Sequence, residues 1–178
     1  AVAALVMFLI MVLGIRVMGT APINQPPSAA FLEQLGFEAA ALPPIMHFTY
    51  GMLWSVVLVA VLKERTNVWS GLGLGVLLWL IFMLIYSPVI GWGFFGIGGA
   101  GHDLPSDHSL YLGSSVKFII GTLVLHLIYG GLVGWLNRLW IDSRQPAEIV
   151  KPQDREAASG QQSDSEQQTG QDQPQAST

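Results

Sequence analysis

The sequence predicts an all-α polytopic membrane protein: four transmembrane helices arranged as two tandem helical hairpins, with a short amphipathic helix in the first outer loop. Three observations lead there. The 178 residues are 51% hydrophobic and only 11% charged, whereas a soluble domain carries about a quarter charged residues. Four apolar runs approach or reach the ~20 residues that a helix needs to cross a bilayer. A five-residue pattern, His-x-x-Tyr-Gly, occurs twice, at His47-Phe-Thr-Tyr50-Gly51 and His126-Leu-Ile-Tyr129-Gly130.

The first run is Ala1 to Met18. A cleaved signal peptide is the competing reading, with Gly19-Thr20-Ala21 as its small-residue site, but no basic n-region precedes the apolar stretch, which favours a retained helix. The second runs from about Ile45 to Leu62 and is entered through Pro43-Pro44, residues suited to a first helical turn whose N–H groups lack partners anyway. The third spans Val68 to about Ile90, with Pro88 near its end, and the fourth Val116 to Leu136. In hydrocarbon each backbone polar group must be paired within its own segment, so apolar runs of this length read as helices.

Charge sets the orientation. Lys63 and Arg65 flank the connection between the second and third runs, and Arg138, Arg144 and Lys151 follow the fourth; the other side offers Arg16 and Lys117. Counting basic residues places both termini and the Lys63–Asn67 turn in the cytoplasm, as expected for a multi-pass protein of a prokaryotic inner membrane. Trp69, Trp135 and Trp140 on the inner side, and Trp92 and Tyr111 on the outer, are expected in interfacial belts. In the first outer loop, Phe31, Leu32, Leu35 and Leu42 fall at helical spacing with Glu33 and Glu38 elsewhere on the wheel, which reads as an amphipathic helix over 28–42.

Residues 1–140 thus form the membrane domain. Its five basic and five acidic residues cancel, so the net charge of -4 lies entirely in residues 141–178. That tail is rich in Gln, Ser, Asp, Gly and Pro and is expected to be a disordered cytoplasmic segment, because it cannot bury enough apolar surface to offset its ordering entropy. There is no cysteine, which removes disulfides, thiolate nucleophiles and iron–sulfur ligation.

The repeated motif carries the candidate site. Positions i, i+3 and i+4 share one helix face, so His47, Tyr50 and Gly51 form one patch, and His126, Tyr129 and Gly130 another. Gly51 with Ser55, Gly130 with Gly134, and Gly71 with Gly75 make small-xxx-small faces that let helix backbones approach. Each neutral histidine can bond a carbonyl or a tyrosine hydroxyl and lock the packing. The alternatives are axial ligation of a b-type haem by His47 and His126, or a proton relay.

The order of elements, with His126, Tyr129, Gly130 and Gly134 in the last helix, resembles the YagU-like and related families of small, uncharacterised prokaryotic inner-membrane proteins, over about residues 1–140. The resemblance implies the four-helix architecture and no catalytic residues.

The second outer loop is rich in glycine and aromatics. Gly96, Gly98 and Gly101 satisfy G-x-G-x-x-G, but neither the preceding strand nor the later acidic residue of a nucleotide fingerprint is present; a tight, partly re-entrant loop is the expected role. His102, Asp103, Asp107 and His108 follow within seven residues. Imidazole and carboxylate together suit a divalent metal, and the same residue types also serve ordinary turn chemistry. No Ser/His/Asp triad, Walker motif, HExxH or intramembrane carboxylate pair is visible, and basic residues are too few for nucleic acid. The expected function is that of a non-catalytic membrane subunit, packing against other membrane proteins or itself and in contact with lipid. Haem or metal binding, and a small transporter or proton-conducting channel, are the alternatives.

Overall fold

The computed structural model describes residues 1–17, 19–37 and 39–143. Among them the chain is helical, and its β structure is limited to a single antiparallel bridge between Ile23 and Leu112. Met18, Glu38 and the tail beyond residue 143, with the disorder expected of it, lie outside the described residues. Three helices are long and apolar enough to cross a membrane, over Leu42–Arg65, Val68–Ile90 and Ser115–Ile141. The first helix, α1 (Val2–Arg16), is as apolar, but its 15 residues extend about 23 Å at 1.5 Å per residue, short of the ~30 Å hydrocarbon core.

Helix α2 (Pro27–Gln34) is shorter than the amphipathic helix expected over 28–42. It stops because Gly36 turns into the left-handed region at φ 81°, and the Gly36 and Phe37 N–H groups bond back to the carbonyls of Glu33 and Leu32 at 2.9 Å each. Leu42 therefore opens the next helix, Leu35 and Phe37 are exposed, and the buried face of α2 is made by Ser28 and Ala30. Helix α3 (Leu42–Leu62) starts with Pro43-Pro44 in its first turn, as expected. It ends at Lys63, which a 3-10 turn over Lys63–Arg65 follows. Asn67 caps the next helix reciprocally: its Oδ1 accepts from the Ser70 N–H at 3.0 Å, and its own N–H donates to Ser70 Oγ at 2.9 Å.

Helix α4 (Val68–Ile81) continues into one π turn, Phe82–Tyr86, and then a last α-helical turn, α5 (Ser87–Ile90). Pro88 explains the widening. It has no N–H to give to the preceding turn, and its ring would crowd the carbonyl four residues back; adding one residue to the turn is a common way for a helix to absorb such a fault. The last helix, α6 (Ser115–Asp142), runs past the expected end at Leu136. Counting apolar residues missed that extension because its hold is polar: Asn137 Nδ2 donates to the Val133 carbonyl at 2.8 Å and to Ser55 Oγ on α3 at 3.2 Å, and Arg138 donates to the Glu64 carbonyl at 2.9 Å.

Two buried clusters hold the bundle. One joins α1, α3, α4 and α6 through Ala4, Leu58, Leu74, Leu78, Tyr129 and Val133. The other lies toward the long loops and includes Phe82, Met83, Ile90, Trp92, Leu112 and Phe118. Trp92 is 0% exposed, which corrects its expected place in an interfacial belt. Its indole N–H donates to the Leu110 carbonyl at 2.9 Å, and glycines 93 and 99 cross with backbone in contact, leaving no side chain to hold the ring out. Trp69, Trp135 and Trp140 are exposed, as an interfacial position requires. The two long loops are stitched together. Asn24 donates to the carbonyls of Ser106 and His108 at 2.8 Å each, and Glu33 accepts from Gln25 and Ser109 at 2.6 Å each.

Candidate functional site

The two His-x-x-Tyr-Gly motifs line one cavity but are held differently. On α6, His126 Nδ1 lies 2.7 Å from the Thr122 carbonyl of its own helix. A carbonyl only accepts, so Nδ1 carries the proton and Nε2 of the neutral ring keeps its lone pair. The ring stacks on Phe82, with centroids 5.8 Å apart and planes inclined by 28°. One turn on, the Tyr129 hydroxyl donates across to the Gly51 carbonyl of α3. Gly130 then faces the backbone of Gly71, Gly75 faces the His126 carbonyl, and Gly134 the Asn67 carbonyl; at each, an added Cβ would strike main chain. The paired glycines expected from spacing are thus the two sides of one α4–α6 seam inside the chain.

On α3, His47 Nε2 donates to the Ala4 carbonyl of α1 at 3.2 Å, and its ring lies 5.2 Å from that of Phe8. Tyr50 meets Trp54 and Tyr86 edge-on at 6.2 and 6.1 Å. Gly51 leaves room for the Ala4 methyl of α1, since a Cβ there would sit 2.8 Å from Ala4 Cβ. His126 and Tyr129 are buried, whereas His47 and Tyr50 are half-buried.

Between these faces lies a cavity of about 430 Å³, within the range of small-molecule sites. Both histidines and both motif tyrosines line it. So do residues that sequence reasoning did not single out: Ser28 from α2, Phe82 and Tyr86 from the π turn, and Lys117 and Thr122 from α6. Thr122 was detectable in principle, lying one turn before His126 on the same face, and Pro88 signalled an irregular turn near Phe82 and Tyr86. Ser28 had no sequence signal beyond its place near a helix start. Thr122 Oγ1 donates to the Phe118 carbonyl at 2.6 Å and accepts from the Trp79 indole at 3.2 Å. The Ser28 Oγ is buried without a hydrogen-bond partner among the described residues.

The quartet His102, Asp103, Asp107 and His108 of the second long loop is not drawn together. His102 Nε2 sits 2.8 Å from the Gly96 carbonyl and 3.1 Å from Ser115 Oγ, turned into the loop core. His108 Nδ1 accepts from the Leu110 N–H at 3.1 Å. Among the described residues no group of three or more His, Cys, Asp or Glu side chains is placed to hold a metal ion, Asp103 and Asp107 included.

Chemically, then, the site offers one imidazole with a free acceptor nitrogen, one that is committed to a neighbouring helix, and aromatic walls. No family model, curated protein or solved structure matches the chain.

Proposed function

We propose that the chain is a non-catalytic integral membrane protein that associates laterally, with a larger membrane complex or with itself, as an accessory subunit. In this reading α1 serves as a fourth span, and α1/α3 and α4–α5/α6 are two tandem hairpins with both termini in the cytoplasm of a prokaryotic cell. Lys63, Arg65 and Arg138 at one end of the bundle support that orientation, and the packing of α1 on α3 and α6 supports the fourth span. The resemblance to small YagU-like proteins belongs to this reading.

The observation that carries the proposal is the outward face of α3. Only 11% of its span is buried, against 33% and 28% for the other two. Ile45, Thr49, Met52, Val56 and Ala60 lie along this exposed side. Lipid covers apolar side chains as well as protein does, but Thr49 makes no side-chain hydrogen bond among the described residues, and an unpaired hydroxyl facing hydrocarbon is costly. With the small Ala60 on the same stripe, the face suits another helix.

The cysteine-free sequence makes the test direct. Thr49→Cys and Val56→Cys are expected to cross-link into one discrete larger species in native membranes, while Ile120→Cys, exposed on α6, stays monomeric. Monomer at all three positions, with a single-chain mass in mild detergent, would sink the proposal.

Ligation of a cofactor such as haem by His47 and His126 is a second reading, favoured by their sharing one cavity. It requires His47 to release the Ala4 carbonyl or to use its other nitrogen. A reduced-minus-oxidised spectrum of purified protein tests it through the Soret and α bands.

A further inference from the structure

The cavity has a chemistry of its own. Its walls are mostly apolar and include the rings of Phe82, Tyr86 and His126. Three features point to a ligand with a flat, polar-edged head. His126 Nε2 is an acceptor without a partner among the described residues, because its Nδ1 is committed to the Thr122 carbonyl. Ser28, 8% exposed, lines the cavity with its Oγ unpartnered, and a buried hydroxyl normally has a hydrogen bond. Flat aromatic faces favour stacking of a planar ring over a bare alkyl chain.

A fourth feature points to a tail. Gly14 on α1 and Gly121 on α6 both line the cavity, and a Cβ at either would meet nothing within 4 Å. The two helices therefore leave room for a chain to pass toward the lipid phase. No acidic side chain lines the cavity, and its one cation, Lys117, is exposed. A neutral head fits this wall better than a doubly charged one.

We propose that this cavity binds the headgroup of a neutral isoprenoid-type lipophile, a planar ring carrying hydroxyl or carbonyl oxygens of the quinone/quinol class, with its tail leaving between α1 and α6. A quinol hydroxyl donates to His126 Nε2, and Ser28 Oγ donates to or accepts from a ring oxygen on the opposite side. The ring lies among Phe82, Tyr86 and His126.

The test is equilibrium binding of decylubiquinol, kept reduced under anaerobic conditions so that its hydroxyls can donate to His126 Nε2, to the full chain in detergent, followed by quenching of tryptophan fluorescence, with hexadecanol as the ring-free competitor. Saturable binding to the unmodified protein is expected. Gly121→Phe, whose Cβ would meet nothing within 4 Å and whose ring would enter the space between α1 and α6, is expected to weaken binding about tenfold or more while the thermal midpoint is retained. Ser28→Ala is expected to weaken it by a smaller factor, as for one lost hydrogen bond. Absence of saturable binding, or a folded Gly121→Phe protein that binds like the parent, overturns the proposal. Equal displacement by hexadecanol also overturns it, because the cavity would then hold chains and not rings. So does a haem spectrum in the purified protein that Gly121→Phe abolishes, because the occupant would then be the cofactor.

Discussion

The α4–α6 seam and the α1/α3 side of the bundle carry the same five-residue motif and use it in opposite ways. In the seam, Gly71, Gly75, Gly130 and Gly134 bring two backbones into contact, and His126 and Tyr129 on α6 are buried. On the other side Gly51 admits only the small Ala4, and Gly14 on α1 faces open space. His47 and Tyr50 stay half-buried at the cavity. Small residues thus permit close approach without enforcing it; what they do depends on whether the facing helix is also small at the same level. Where both sides are glycine, backbone meets backbone. Where one side carries Met7, Met11 and Tyr50, side chains prop the helices apart and a cavity results.

The comparison breaks most sharply at the glycines. Gly71→Ala and Gly130→Ala each direct a methyl group onto main chain of the opposite helix, which cannot rotate away. Each is expected to cost ~3 kcal/mol or more, at the upper end of overpacking. Gly14→Ala meets nothing within 4 Å and is expected to be neutral or stabilising by up to ~1 kcal/mol through helix propensity. Unfolding midpoints in detergent check this, and equal losses at Gly71 and Gly14 would show that the seam is not special. The tyrosines give a smaller contrast. Tyr129→Phe removes the hydrogen bond to Gly51 and is expected to cost ~1 kcal/mol, near the value for polar pairs between membrane helices. Tyr50 contacts Trp54 and Tyr86 through its ring, which phenylalanine keeps, and the variant loses only the hydroxyl's half-buried approach to Trp54, so Tyr50→Phe is expected to cost less than Tyr129→Phe.

Much of this arrangement was legible in the amino-acid sequence, and the parts that were not share a cause. Apolar run length found the helices, and spacing of four found Gly71/Gly75 and Gly130/Gly134, because both are local properties of one helix. Which face meets which neighbour is not local. The two motifs read alike, and nothing in either says that one packs on glycines and the other on α1. Trp92 read as an interfacial residue because it follows a span; its burial depends on a crossing of glycines 93 and 99 within a folded loop. Phe82 and Tyr86 come to the cavity through a π turn traceable to Pro88, but a proline near a helix end has several outcomes, of which this is one. Ser28 became notable only through what its hydroxyl lacks, a property visible solely in three dimensions.

The joint between the two regions offers the smallest and most diagnostic test. Lys63, where α3 hands over to the turn before α4, sits at φ 48°, ψ -120°, a conformation that L residues rarely adopt and glycine tolerates. Such strain costs on the order of 1–3 kcal/mol and persists only when the surroundings impose it. Here they do: Thr66, fully buried, holds the Lys63 carbonyl through both its N–H at 3.2 Å and its hydroxyl at 2.8 Å, and Asn67 begins the cap of α4 directly afterwards. The tight seam therefore fixes where α4 starts, and the looser α3 absorbs the misfit at its last residue. Lys63→Gly is expected to stabilise the fold by up to ~1 kcal/mol, the relief of strain exceeding the extra chain entropy of glycine. Lys63→Ala keeps a Cβ in the same conformation and is expected to change the midpoint little. Because both variants remove the same charge, their difference isolates the backbone. If the two midpoints coincide, the strain is not held at Lys63, and the α3 side yields as readily as the seam resists.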